Sequence, residues 1–234
     1  MKVFRQVRNA LIQEGNFKKY LAYAIGEILL VMIGILLAFQ VSSWNTQRIK
    51  DKAATVSYAN IMRQINDDKS VILGVIDYNN NYLRQFEFAN SIIENNDRSR
   101  IDTLGYIALN LTSYSDYNRN NNIYQNIVNS GGLSLLTNHE IIERLQQLEE
   151  FYIYMNRMER IHWDAILTGI IPDLRAIMKY SDRSVQNPET LYSYAFQNHF
   201  MTMMVIMNEK DQIYQDAVRE IDEITALIEA EIKD

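Results

Sequence analysis

Cysteine is absent from the 234 residues of this chain, and proline and glycine are rare, with 2 and 8 occurrences. Without thiols the chain forms no disulfide, no cysteine-ligated zinc site and no iron–sulfur cluster, and it has no thiol nucleophile. Average usage would give roughly 12 prolines and 16 glycines. Because turns and β-rich folds depend on these two residues, their scarcity predicts an all-α protein.

An excess of positive charge is also missing. The chain carries 23 Lys and Arg against 29 Asp and Glu, and this formal net charge of −6 argues against nucleic-acid binding. Hydrophobic residues make up 47% of the chain and charged residues 22%, which is the composition of a folded protein. The length allows at most two domains.

Motifs for catalysis and metal binding are missing as well. His139 and Glu140 resemble the start of an H-E-x-x-H zinc motif, but Glu143 stands where the second histidine would be. The glycine pair at 131–132 follows a predicted helix rather than a strand, so it indicates a helix stop and not a phosphate loop. The methionines at 201–207 favour core packing, with soft-metal binding as the alternative. We therefore predict no enzymatic activity, no metal and no cofactor.

A long apolar run is the strongest positive feature. Residues 21–41 are apolar except for Glu27 and Gln40, and as a helix they span about 31 Å, enough for a bilayer core. Two tyrosines flank the start of the run and Trp44 follows it, as in the aromatic belts of membrane interfaces. We predict an uncleaved single transmembrane helix over 20–45. A buried core helix and a cleaved signal peptide are the alternatives.

Basic residues cluster before the apolar run. Residues 1–20 contain five Lys or Arg and the 20 residues after the run contain three, which favours a cytoplasmic N-terminus and a periplasmic ectodomain. Within 15 residues of each end the counts are three and three, so the opposite orientation stays open. Over 1–16 we predict a basic amphipathic interfacial helix on the anionic leaflet, with a frayed tail as the alternative.

Glu27, Gly34 and Ala38 share one face of the predicted transmembrane helix, because their separations of seven and eleven residues are close to whole turns. Small residues let membrane helices approach closely, and an ionisable residue in a span faces protein or water. We predict that these three residues form an oligomerisation seam. The alternatives are a monomer in which Glu27 reaches the interface and a ring of Glu27 carboxylates along an ion path.

Residues 46–234 are predicted to form an elongated antiparallel helical bundle. Apolar residues at spacings of four and three run from Ala54 to Ile93 and predict a helix over 47–95 with a bundle or coiled-coil seam. Asp68 and Asn79 interrupt this seam, and either they set its register or the seam is local packing only. No internal repeat is visible.

The segment after this helix is broken into short elements. We predict short helices over 102–111 and 123–130, separated by a loop over 112–122 that is rich in Ser, Asn and Tyr. Tyrosines among adaptable polar neighbours suit protein contacts. The pattern predicts an ectodomain contact surface, with an ordinary end loop as the alternative. Its tyrosines are Tyr114, Tyr117 and Tyr124.

Two further long helices are marked by their ends. Thr137 and Glu140 fit a capping box, in which each side chain satisfies a free N–H of the first turn. Gly169 and Pro172 are predicted to kink or end the helix that follows. Asn187 and the proline after it predict the start of a last helix over 188–232.

Sequence motifs in residues 18–45 resemble the opening of an abundant group of uncharacterised Bacteroidota membrane proteins, catalogued only as a domain of unknown function. That group opens with a short basic helix, a tyrosine-rich lead and the strings AIGEI, IGIL-A-Q and WN. Here these strings fall on 24–28, on 33–36 with Ala38 and Gln40, and on 44–45. Residues 124–136 are similar to a second motif of the group. The resemblance implies a bacterial inner-membrane protein with an extracytoplasmic helical domain, and it implies no activity.

Together these features predict a non-enzymatic, membrane-anchored scaffold or accessory subunit of a bacterial envelope complex. The expected partners are the lipid bilayer, further copies of the chain and another envelope membrane protein, but not nucleic acid. One alternative is a membrane-anchored sensor whose ectodomain transmits a small shift. A second is a subunit of an ion or proton path that uses Glu27.

Overall fold

The computed structural model describes residues 17–117, 127–129 and 132–233 of the chain. The fold is all-α, with a long N-terminal helix followed by further helices, which confirms the predicted fold class. The predicted interfacial helix over 1–16 and most of the predicted helix over 123–130 lie outside the described residues. Residues 127–129 are helical, as predicted. The α-helices with both ends described are α1 (Phe17–Glu94), α2 (Ile101–Leu109), α3 (His139–Ala165), α4 (Ile171–Ile177), α5 (Pro188–Leu191) and α6 (Tyr194–Lys233).

The chain divides into two compact units, Met1–Ala54 and Thr55–Asp234. The first unit contains the apolar part of α1, which is long and apolar enough to cross a membrane. The large apolar side chains of this part are exposed, from Leu21 to Trp44. The predicted membrane segment and the first predicted bundle helix are both parts of α1, because no proline interrupts them.

Helix α1 ends through its backbone geometry. Asn96 adopts a positive φ of 47°, which asparagine tolerates better than most residues. The N–H groups of Asn96 and Asp97 then donate to the carbonyls of Ile93 and Ile92 at 2.9 and 3.0 Å. These two bonds form a Schellman motif and satisfy carbonyls at the end of the helix.

Three long helices, α1, α3 and α6, pack together in the second unit, and the short elements α2, α4, β1 and α5 add further residues to its core. Helices α1 and α6 are antiparallel. Asn66 bonds Thr225, whereas Asn79, further along α1, bonds Asp211, which comes earlier in α6. The predicted apolar seams are buried, as spacings of four and three require for helix packing. Members of the three seams include Ile61, Ile65, Ile72, Phe86, Ile141, Leu145, Leu148, Met155, Tyr214, Ile221, Ile224 and Ile228.

A small hairpin between α4 and α5 was absent from the sequence prediction. Strands β1 (Met178–Lys179) and β2 (Ser184–Val185) pair antiparallel, and the Asp182 side chain accepts from the N–H of Ser184 at 3.1 Å in the turn. The hairpin packs close to α2 at Gly105, where an added Cβ would lie 2.6 Å from the Cγ2 of Val185. A side chain at position 105 would therefore force Val185 of β2 to move.

The predicted break at Gly169 and Pro172 and the predicted helix start at Asn187 are both found, but the last helix is not continuous. Gly169 lies in a π-helical turn over Ile166–Ile170, which follows α3 directly, and Pro172 lies in the first turn of α4. The break is therefore confirmed as a change of helix type. The Asn187 side chain caps α5 by accepting from the N–H of Thr190 at 3.3 Å, as predicted. The last helix is nevertheless interrupted, because α5 ends at Leu191 and α6 begins at Tyr194.

The N-cap of α3 lies one residue after its predicted place. Asn138, and not Thr137, is the N-cap, and its side chain accepts from the N–H groups of Glu140 and Ile141 at 3.0 and 3.3 Å. The Thr137 hydroxyl is 3.3 Å from a carboxylate oxygen of Glu231 instead. The prediction that Thr137 caps α3 was wrong because asparagine one residue later accepts from N–H groups of the first turn.

The position of this cap has a measurable consequence. We expect Asn138→Ala to lower the free energy of unfolding by about 1 kcal/mol, since it leaves N–H groups of the first turn without their acceptor. Thr137→Ala should cost less than half as much. Urea unfolding of the two variants, followed by far-UV circular dichroism, compares them directly. A larger loss in the Thr137 variant would contradict the assignment.

Candidate functional site

The predicted membrane seam lies on the apolar part of α1. Glu27 is half-buried, and Gly34 and Ala38 are exposed. Among the described residues, nothing lies within 4 Å of a Cβ added at Gly34. The chain by itself thus leaves this face open, and the seam stays a prediction about a second helix.

The predicted tyrosine surface is divided by the structure. Tyr114 is half-buried, whereas Tyr117 is 2% exposed and its ring stacks on that of Tyr152 at 5.3 Å between centroids. Tyr117 is therefore a core residue, and its assignment to a contact surface was wrong. Tyr124 lies outside the described residues.

A group of buried polar side chains lies where α1, α3 and α6 meet the irregular segment 113–117. Such a concentration is unusual in a helical core, since buried polar groups need partners and buried charges need countercharges. We call this group the polar cluster. Its members are Asn79 of α1, Tyr114 and Ser115 of the segment, Glu159 and His162 of α3, and Lys210, Asp211 and Tyr214 of α6.

Lys210 is the centre of the cluster and is 0% exposed. Its Nζ donates to the carbonyl oxygen of Ser115 at 2.6 Å, lies 3.2 Å from the Ser115 hydroxyl, and lies 3.2 Å from Nδ1 of His162. Nζ also lies 5.3 Å from the centre of the Tyr114 ring, within the range of a cation–π contact. An ammonium group only donates, so Nδ1 of His162 accepts and the ring proton is on Nε2.

Asn79 connects α1 to the same cluster. Its amide nitrogen donates to Oδ1 of Asp211 at 2.9 Å, and its amide oxygen accepts from the Ser115 hydroxyl at 2.6 Å. Asn79, one of the two residues that interrupt the apolar seam of α1, therefore joins α1 to both α6 and the segment 113–117. A one-turn shift of α1 along α6 would separate Asn79 from Asp211, so this pair favours one register.

Glu159 holds the other end of the segment. Its Oε1 accepts from the backbone N–H of Tyr117 at 2.6 Å and from the hydroxyl of Tyr214 at 2.8 Å. Both bonds favour the ionised carboxylate, and burial opposes it. The glutamate thus ties α3 to the segment and to α6.

Burial governs the charges of the cluster. It lowers the pKa of Lys210 to about 8, against the raising effect of nearby acidic groups, Glu159 first. Burial, followed by the positive charge of Lys210, lowers the pKa of His162 to about 3. Burial also raises the pKa of Glu159 and of Asp211. At pH 7 the cluster accordingly contains a protonated Lys210 and a neutral His162.

The geometry offers little to a substrate or a metal. Lys210 and His162 are both fully buried, and in the described part of the chain no three His, Asp or Glu residues converge as a metal site would require. The methionine run also lies largely in the core, since Met203 and Met207 are fully buried. A buried polar network with this connectivity can fix the register of helices and hold a loop segment in place.

Sequence reasoning singled out some members of the cluster and missed others. Asn79 was visible as a break in an apolar seam, and Glu159 and His162 lay on the predicted seam of α3. The pair Lys210 and Asp211 was missed because neighbouring opposite charges on a helix usually face solvent. The signal that could have found it is the apolar spacing from Met207 to Tyr214, which places both charges near the buried face.

Comparisons with known proteins add no further constraint. No protein-family model matches the chain, and neither a curated protein nor a solved structure matches it.

Proposed function

We propose that this protein is a non-enzymatic, membrane-anchored assembly subunit of a bacterial envelope complex. In this proposal α1 anchors the chain in the inner membrane, the N-terminus is cytoplasmic, and the helical second unit is periplasmic. The observation that carries the proposal is the apolar part of α1, whose large side chains are exposed to such an extent that only a bilayer or another protein would cover them.

The small-residue face of α1 supports self-association as the assembly mode. Gly34 and Ala38 leave room for the backbone of a second helix, and in a bilayer such close packing drives helix association. Glu27 on the same face gains a hydrogen-bonding partner when helices pair. The resemblance to Bacteroidota membrane proteins supports the compartment, and the excess of basic residues before the span supports the orientation.

A sensor is the second candidate, and the polar cluster favours it. Its charged groups sit in the bundle that contains the second half of α1, so a change in the cluster acts on the helix that also carries the apolar run. A shift of that helix would need a cytoplasmic or membrane partner to read it.

Self-association can be tested by mass. We expect the wild-type chain in mild detergent or lipid particles to have the mass of a closed homo-oligomer. Gly34→Leu adds bulk to the seam and should weaken association at least tenfold, about 1.4 kcal/mol. Leu36→Phe adds bulk about 200° around the helix and should leave the mass unchanged.

Three outcomes of this experiment would count against the proposal. A wild-type monomer without a co-purifying protein would contradict an assembly role. Equal loss of mass in the Gly34 and Leu36 variants would contradict the seam. A single copy bound to another envelope protein would replace self-association by an adaptor role.

A further inference from the structure

The segment 113–117 is held to the bundle by side chains of the polar cluster. Ser115 binds Lys210 through its carbonyl and Asn79 through its hydroxyl, and the N–H of Tyr117 binds Glu159. Residues in a helix or a strand are held by backbone hydrogen bonds, which do not change with pH, but this segment forms neither. Two of these three bonds use the ionisable side chains Lys210 and Glu159, so docking of this segment depends in part on their charge states.

The contact between Lys210 and His162 tolerates only one of those charge states. Nζ lies 3.2 Å from Nδ1, and this nitrogen accepts only while the imidazole is neutral. Protonation removes the acceptor and places a second positive charge beside the ammonium in a site of low dielectric, where repulsion is strong. The contact therefore breaks when His162 is protonated.

The other ionisable groups of the site do not compensate for an imidazolium. Lys210 of α6 is a cation, and the phenol of Tyr114, whose ring is 5.3 Å from the imidazole, is neutral below pH 10. Glu159 on the same helix and Asp211 on α6 have raised pKa values and lose charge as the pH falls. Asp116 is exposed, and Tyr214 is a neutral phenol with a raised pKa.

We infer that the contact between Lys210 and His162 is a proton-operated latch, which releases the segment 113–117 from the bundle in acid while α1, α3 and α6 stay folded. Release separates the ring of Tyr117 from that of Tyr152 and exposes both rings, which are stacked and buried in the closed bundle. The latch goes beyond the proposed assembly role and does not rest on it, because it concerns the second unit alone.

The direction of the pH effect follows from linkage. The pKa of His162 is about 3 in the closed bundle and takes its ordinary value of 6.5 when the ring is solvated, so the open state binds the proton more tightly. Between these two values each pH unit of acidification favours the open state by about tenfold. The closed state is thus fully favoured above pH 6.5 and loses its advantage as the pH falls towards 3.

Trp163 provides an optical reporter. Its ring meets that of Tyr114 edge-on at 5.3 Å, and the chain has one other tryptophan, Trp44. In a Trp44→Phe background, emission thus reports on the segment that carries Tyr114. The full chain in detergent is titrated from pH 7.5 to 4, with emission and far-UV circular dichroism recorded together. We expect the emission of Trp163 to change while the helical signal is retained.

Variants of two histidines test whether protonation of His162 causes the emission change. His162→Gln stays neutral and retains an acceptor for Lys210, so it should abolish the emission change. His139→Gln is the matched control, because His139 is an exposed histidine of the same helix, and it should titrate like the parent. Hydrogen exchange of residues 113–117, corrected for the intrinsic pH dependence of exchange, should rise at least tenfold from pH 6.5 to 5 in the parent and in His139→Gln, but not in His162→Gln.

Several results would overturn the latch. These are an unchanged emission, the same titration in His162→Gln, or an emission change that coincides with loss of helix. If His162→Gln does not fold, His162→Asn gives a second test. It also stays neutral, so the emission change should again be absent, and a titration like that of the parent would contradict the inference.

Discussion

Replacing Lys210 with alanine is expected to lower the free energy of unfolding at pH 7 by about 3–5 kcal/mol, the usual cost of removing one partner from a buried charged network. The variant leaves the carbonyl of Ser115 and Nδ1 of His162 without their donor. It also removes the cation that faces Glu159. Urea unfolding of the full chain in detergent, followed by far-UV circular dichroism, measures the loss.

Lys69→Ala is the control for this variant. Lys69 also pairs with an acid of α6, Asp222, but its side chain is 27% exposed and that of Asp222 is 54% exposed. Such a surface pair contributes about 0–1 kcal/mol. Equal losses in the two variants would show that burial of Lys210 does not matter, and would contradict the structure of the polar cluster.

Phe86→Ala is expected to have an effect of similar size, a loss of about 3–5 kcal/mol, because a large ring is removed from a core that cannot fully close around the gap. Phe86 is 0% exposed and its ring lies 5.8 Å from that of Phe200, between centroids. Thermal and urea unfolding at pH 7 give the change in stability.

The same helix supplies the comparison. Phe88 is two residues further along α1 and 41% exposed, since a step of two residues turns the side chain to the opposite side of the helix. Phe88→Ala should therefore cost about 1 kcal/mol or less. A reversed order of the two losses would mean that another face of α1 packs against the bundle.

The long helices could be predicted because their packing follows from local spacing. The seam from Ala54 to Ile93 repeats at four and three residues, and such a repeat fits one face of a helix whatever its partner is. The α5 cap was equally local, because Asn187 and Thr190 are only three residues apart. These features depend only on residues that are near one another in the sequence, so the sequence is sufficient to predict them.

The polar cluster could not be predicted as a site, because its members are distant in sequence. Ser115 and Lys210 are 95 residues apart, and His162 and Lys210 are 48 apart. Spacing shows which face of a helix is buried, but it does not show which two faces meet. The hairpin between α4 and α5 was missed for another reason, since strands of two residues have no period to detect.

Comparing which substitutions are tolerated at two glycines of this chain can show whether a second molecule contacts it. At Gly105 a side chain would strike Val185 of the same chain, so intolerance to substitution there reflects the fold of one molecule. At Gly34 a methyl group would touch nothing in the described chain, and alanine favours the helix more than glycine does. A saturation screen in living cells that rejects alanine at position 34 would therefore reveal contact with a second molecule.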